Sequence, residues 1–177
     1  MAQNALLLFN RHYPALIQQA YGAPIADTIA LTDNYKLNLK IKDTKGLTRL
    51  FDENLDTLQN VNLRINMNAG AGISDLRLNI PRVQYGTLEL QNSEMVWRTD
   101  KDNGRFKIDI PKALLSGDQQ LGHLSLSGDL SREQIAFAFN TEDAASIVQD
   151  ISLNGVLSTV DTLWQVQFNA AAITLFN

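Results

Sequence analysis

The sequence contains no cysteine. Disulfide staples, cysteine-bound zinc and thiol catalysis are excluded, and the chain suits either a reducing cytosol or a cell envelope where its core holds without crosslinks. It has two histidines, His12 and His123, isolated from one another. Zinc needs three or four clustered ligands, which these do not supply. Long apolar runs are also missing. The run from Ala5 to Phe9 falls far below the ~20 residues of a membrane-spanning helix and is short for a signal peptide. A function outside the cytoplasm would therefore make this chain a piece of a longer one, as would a last strand, Ile173 to Phe176, that stops without a closing turn.

Charge of one sign is lacking too. The formal net charge is -4, and the basic residues are spread along the polar positions of the chain. A nucleic-acid surface usually shows a basic stripe, so no nucleic-acid partner is expected. There is no G-x-S-x-G elbow, P-loop or H-E-x-x-H motif. Asp100-Lys101-Asp102-Asn103-Gly104 approaches a calcium loop but lacks the bidentate glutamate, and turn chemistry explains it better. His123 has the opposite parity to Leu124 and Leu126, which places it on a polar face. The expectation is a protein without catalytic residues, cofactor or metal.

What the chain does have is strict alternation of apolar and polar residues. It runs through Leu37-Asn38-Leu39-Lys40-Ile41-Lys42 and Val61-Asn62-Leu63-Arg64-Ile65-Asn66-Met67-Asn68. It recurs in Leu76 to Ile80, Phe106 to Ile110 and Trp164 to Asn169. Successive side chains of a strand point to opposite faces, so each segment has one apolar and one wet side. Strands are expected from Tyr35 onward, then near 60–68, 74–81, 82–91, 94–99, 105–110, 120–130, 133–140, 151–158, 163–169 and 172–176. Turn residues punctuate them at 69–72, 102–104, 116–118 and 131–133. Parity slips between Val83 and Leu88, which suggests a bulge or bend at Gly86.

Helical patterns are few. Ala5 to Phe9 and Pro14 to Tyr21 form a short lead-in over residues 1–34, ahead of an antiparallel β domain at 35–177. Leu47, Leu50, Phe51 and Leu55 suit a helix over 44–55, with Thr44 as its cap. A further short helix is expected over 142–149. Such helices are too small to cover a sheet of about ten strands. The fold class is therefore mainly β. The antiparallel sheet either curls into a trough, β-taco-like, with an apolar interior, or folds back as a β-sandwich or closed barrel. Trp97, Trp164, Phe137 and Phe139 fall in alternating strands and read as packing residues rather than sugar platforms. The candidate lining of a trough is Leu37, Leu39 and Ile41; Leu63, Ile65 and Met67; Leu76, Leu78 and Ile80; Phe106, Ile108 and Ile110; Leu124 and Leu126; and Ile135, Phe137 and Phe139. Such a wall offers area but no specific hydrogen bonds, so its ligand would be an acyl chain or a peptide segment.

Tyr35 to Thr44 followed by Leu47-Thr48-Arg49-Leu50-Phe51, Ile80-Pro81-Arg82-Val83 through Leu88 to Ser93, and Asp150 to Ser158 followed by Asp161-Thr162 and Trp164-Gln165-Val166 together resemble TamB-like proteins of the AsmA superfamily. The form is that of Bacteroides-type Gram-negative bacteria. The resemblance covers most of the chain from Tyr35. It implies an internal stretch of an inner-membrane-anchored protein that crosses the periplasm as an apolar β-groove. It implies phospholipid transfer between the membranes, or outer-membrane protein assembly with a BamA-like barrel as partner of the full-length protein. The residues read by themselves keep a second possibility open, a closed β-sandwich binding glycan or protein through its loops. An isolated stretch of trough has open strand edges through which it would dimerise.

Overall fold

Alternation buries a side of a strand only when the neighbouring strands are patterned alike and held in matching register. The computed structural model describes residues 34–43, 54–68, 70–100, 103–115, 120–131, 134–142, 148–160 and 163–175. Ten strands form in them: β1 (Asn34–Asp43), β2 (Leu55–Asn68), β3 (Ile73–Tyr85), β4 (Leu88–Thr99), β5 (Gly104–Ile110), β6 (Lys112–Leu114), β7 (His123–Ser131), β8 (Gln134–Glu142), β9 (Val148–Val160) and β10 (Leu163–Leu175).

All ten belong to one antiparallel sheet with the order β1-β2-β3-β4-β5-β7-β8-β9-β10, and β6 pairs with β4 beyond Pro111. Apart from β6, which pairs with β4 and leaves β5 to pair with β7, each strand pairs with its chain neighbours, as short connections dictate. The sheet is open, with β1 and β10 at its two edges, and is neither closed nor strongly curled. The antiparallel all-β sheet is as expected, but the described strands form neither the curled β-taco-like trough nor the β-sandwich or closed barrel, because the sheet stays open. No described strand leaves the meander to start a second layer, and the substantial contacts between described strands stay within the sheet. No helix occurs among the described residues.

Several expected boundaries shift. The segments 74–81, 82–91 and 94–99 are two strands, not three: β3 runs through Pro81 to Tyr85, and β4 runs unbroken from Leu88. Of the bulge or bend expected at Gly86, the bend is observed: Gly86 is in the turn between the two strands, and it carries the parity slip, since Tyr85 pairs with Leu88 and Val83 with Leu90 across it. It has φ +55°, and its N–H donates to the carbonyl of Asn54 at 2.7 Å. The segments 163–169 and 172–176 are one strand, β10, with an extra residue where the register shifts between Phe168 and Ala170. Of the helix expected over 44–55, Leu55 opens β2, and 44–53 lie outside the described residues. Of the one expected over 142–149, Glu142 closes β8 and Val148 opens β9, while 143–147 lie outside. The lead-in helices over 5–9 and 14–21 also lie outside.

Further changes of parity lie inside the strands. The pairings Asn62↔Asn79 and Gln59↔Arg82 set Asn60 opposite Pro81, Ile80↔Ser93 and Arg82↔Gln91 set Pro81 opposite Asn92, and Glu94↔Asp109 and Gln91↔Lys112 set Asn92 opposite Pro111. Asn60 and Asn92 have positive φ, 53° and 55°. Proline gives no ladder hydrogen bond, and left-handed asparagine breaks the pleat. One cross-strand row thus gathers four irregular residues, and the apolar parity changes across it in each strand. In β3, for instance, Leu76, Leu78 and Ile80 give way to Val83 and Tyr85. The sheet has a crease perpendicular to its strands.

Two glycines decide how tightly the middle of the sheet packs. A Cβ on Gly128 would lie 2.5 Å from the Phe106 ring and 2.8 Å from the Ala136 carbonyl oxygen. One on Gly155 would lie 2.6 Å from the Gln167 carbonyl oxygen and 2.8 Å from the Phe137 ring. Each phenylalanine therefore lies across a neighbour with no side chain. Beside the crease, the Ser93 hydroxyl is buried without a hydrogen-bond partner among the described residues. Gly128→Ala should destabilise the sheet by about 1–3 kcal/mol through overpacking. Ser93→Ala, which removes an orphan hydroxyl, should leave stability unchanged or raise it by about 1 kcal/mol. Urea denaturation followed by circular dichroism measures both.

Candidate functional site

Register determines which side chains share a face. Following the pairings from β1 to β10, one row reads Leu39, Leu63, Leu78, Met95, Ile108, Leu126, Phe139, Leu153 and Ala171. The next reads Leu37, Ile65, Leu76, Trp97, Phe106, Gly128, Phe137, Gly155 and Phe168. A third starts at Tyr35 and Met67, passes Ser74, Thr99 and Gly104, and ends in Leu130, Ile135, Leu157 and Val166. Neighbouring strands lie ~4.8 Å apart, so a row crossing nine strands is about 38 Å long.

Every residue expected to line a trough falls on this face. Leu37, Leu39 and Ile41 come from β1, Leu63, Ile65 and Met67 from β2, and Leu76, Leu78 and Ile80 from β3. Phe106, Ile108 and Ile110 come from β5; Ile108 and Ile110 pair with Leu126 and Leu124 of β7, Leu126 pairs on to Phe139 of β8, Phe106 reaches Phe137 across Gly128, and Ile135 lies opposite Leu130. Rings meet across it: Trp97 stacks on Phe106 at 6.1 Å, and Phe137 meets Phe168 edge-on at 6.1 Å. The polar interruptions are satisfied locally, as the hydroxyls of Ser74 and Thr99 lie 2.7 Å apart.

Sequence reasoning left out the contribution of β4, β9 and β10. Met95 and Val96 are consecutive apolar residues, so alternation alone does not say which faces inward. Pairing with Leu78 and Ile108 puts Met95 on the apolar face, while Val96 lies among Arg77 and Lys107 on the other. Leu153, Leu157, Val166 and Phe168 carried the usual alternating signal and complete the rows.

No second layer covers the apolar face among the described residues. Among the described residues only Val61, Ala113 and Leu130 are buried apolar side chains. Its rows span an area on the order of 800 Å², about 38 Å by ~20 Å from the strand and row spacings. That exceeds the ~300–600 Å² of the largest apolar patch on a typical monomer, and patches of this size mark sites of interaction.

The opposite face is charged over β1–β7. The sheet collects there Lys36, Lys40, Arg64, Arg77, Arg98, Arg105 and Lys107, against Asp75, Glu94, Asp109 and Asp129. The basic residues, scattered in sequence, are thus gathered on one side of a chain whose net charge is -4. Like charges oppose one another at Arg64↔Arg77 and Arg98↔Arg105. Asp75 offsets them, 3.1 Å from Arg98 and 3.5 Å from Arg77. His123 lies on this face, as its parity implied, with Nε2 3.2 Å from Asp109. Lys107 is 2.8 Å from the same carboxylate. In Asp100-Lys101-Asp102-Asn103-Gly104, the Asn103 N–H donates to the Asp100 carboxylate at 2.8 Å, and Lys101 and Asp102 lie outside the described residues. No group of three or more metal-ligating side chains converges among the described residues.

No protein-family model, curated protein or solved structure matches this chain.

The Lys107 ammonium, then the His123 ring, hold the Asp109 carboxyl below its usual range against a desolvation that pushes it up; Asp109 in turn raises Lys107. A depressed carboxyl contributes stability above its unfolded value near pH ~3.9, lost as pH falls through the folded value. A raised lysine contributes stability below ~10.4, lost as pH rises through its folded value. Asp109→Asn should therefore flatten both the acid and the alkaline limbs of a stability profile measured by denaturant unfolding from pH 2 to 12.

Proposed function

We propose that the apolar face binds acyl chains and that the protein acts without catalysis, as a lipid-handling surface of the cell envelope. The observation that carries this is the pair of rows spanning the sheet from Leu39 to Ala171 and from Leu37 to Phe168, interrupted only by the glycines beneath the phenylalanine rings. A long apolar strip suits a long apolar ligand, and with no deep polar contact the ligand stays free to slide. The charged back keeps the opposite side wet.

Energetics favour a groove over a flat wall. Full burial of a CH₂ is worth ~0.8 kcal/mol, on the order of 10 kcal/mol for a whole chain, but a chain lying on an open sheet is shielded on one side only. Curling into a trough, β-taco-like, would recover the rest, and the crease through Pro81 and Pro111 offers a line along which a sheet bends with little loss of ladder hydrogen bonds. In this reading the chain is an internal stretch of a TamB-like periplasmic protein anchored in the inner membrane. Phospholipid is its ligand, and a BamA-like outer-membrane barrel is the partner of the whole. The resemblance of its segments to that family supports this placement.

Ile108→Asp, at the centre of the longest row, should weaken binding of a fluorescent fatty acid at least about ten-fold, or ~1.4 kcal/mol. Ser127→Asp, on the next strand but the opposite face, should leave it unchanged. Fluorescence titration of both variants, with folding checked by circular dichroism, decides the matter. Failure of the parent chain to bind, or an equal response to both substitutions, would refute the proposal.

A further inference from the structure

The charged back of the sheet is not uniform. Over β3–β7 its arginines and lysine are mixed with Asp75, Glu94, Asp109 and Asp129. Over β1 and β2 the pairs that face the same way are Lys36↔Asn66, Asn38↔Arg64 and Lys40↔Asn62, with no carboxylate among them. Cation and amide alternate along each strand and across the pair, as in a checkerboard. Asparagine is disfavoured in strands, so the ladder itself does not call for three of them here.

These groups are open to a ligand. Lys36, Asn38, Lys40, Arg64 and Asn66 are exposed. None of the three cations has a carboxylate partner among the described residues, and Asp75 serves Arg77 and Arg98 instead. The amides of Asn38 and Asn66 make no hydrogen bond among the described residues, and Asn62 donates one N–H to the Asn60 carbonyl at 2.9 Å. Asn38, Lys40, Asn62 and Arg64 stand around the backbone of Leu39 and Leu63, whose side chains leave on the other face, and the six residues line a depression. Its two cations lie on one diagonal and its two amides on the other, ~7–8 Å apart.

We propose that this depression binds an acidic saccharide, with a carboxylate or phosphate of the ligand between Lys40 and Arg64 and its hydroxyls on the asparagine amides. Charge complementarity selects the anion. The asparagines select the sugar. An amide presents donor and acceptor together, and a hydroxyl answers both, whereas a surface of phosphates offers acceptors only. The site has no aromatic ring on which a nucleobase could stack. Lys36 continues the checkerboard one diagonal beyond Arg64. The cations of β1 thus span about 13 Å at ~3.3 Å per residue, which suits an oligosaccharide with more than one acidic unit. The site needs neither open edge of the sheet. It lies on the side opposite the apolar rows, so it stands or falls independently of acyl-chain binding.

Isothermal titration calorimetry with oligogalacturonate, which carries a carboxylate on each sugar, tests the proposal. The parent should bind it, more weakly as salt rises because exposed charges are screened, and should not bind neutral maltohexaose. Lys40→Gln with Arg64→Gln should raise the dissociation constant at least about ten-fold. Arg98→Gln with Arg105→Gln removes the same charge from the same face outside the depression, and should change the constant less than about two-fold. Asn38→Ala keeps every charge and should still weaken binding about three-fold or more. All five positions are exposed, and circular dichroism checks that each variant folds. A parent that binds no oligogalacturonate, or two charge variants that lose equally, would overturn the proposal. So would polyglutamate, single-stranded DNA or phosphatidylglycerol vesicles held as tightly as the sugar and lost with the same two cations.

Discussion

Backbone pairing between chain neighbours is the constraint on which this structure depends. Apart from β6, which pairs with β4, each described strand pairs with those beside it in the meander, and the result is one wide layer. A layer has two faces and no inside. Its stability therefore rests on the ladder and on side chains packed sideways along rows, with Val61, Ala113 and Leu130 as its buried apolar residues among those described. That no described layer covers the apolar face is a consequence of that topology, because the meander leaves no second sheet to meet it.

Side-chain detail then shapes the layer. Phe106 and Phe137 lie across Gly128 and Gly155, which keeps the rings low and the row continuous. Ser74 and Thr99 satisfy each other within the face and so admit hydroxyls without a stranded donor. On the reverse, arginines oppose arginines, and the shared carboxylate of Asp75 makes that arrangement tolerable. The row of Asn60, Pro81, Asn92 and Pro111 interrupts the pleat in four segments at one level, so the irregularity is a property of the sheet and not of any one strand.

Much of this was legible residue by residue. Alternation placed Leu37, Leu63, Leu76, Phe106, Leu126 and Phe137 on one side of their strands, and the parity of His123 placed it on the other. The misreadings have physical causes. The slip at Gly86 is legible as a bend, but the further parity changes inside β3 and β4 are not, because their source is a proline and two left-handed asparagines that oppose each other only once the strands have paired. β10 was split because an inserted residue looks, along the chain, like the end of one strand and the start of another. Met95 was overlooked because a run of two apolar residues has no intrinsic inward side.

The sequence by itself determined that this is an antiparallel β protein with one apolar and one polar side to nearly every strand, since side-chain direction in a strand depends only on position along the chain. The tertiary structure alone decided which apolar sides join, that they form rows across nine strands, and that scattered lysines and arginines become a basic back. It alone decided as well that the layer stays open. Register and strand order are relations between residues far apart in the chain, and periodicity within a strand does not encode them.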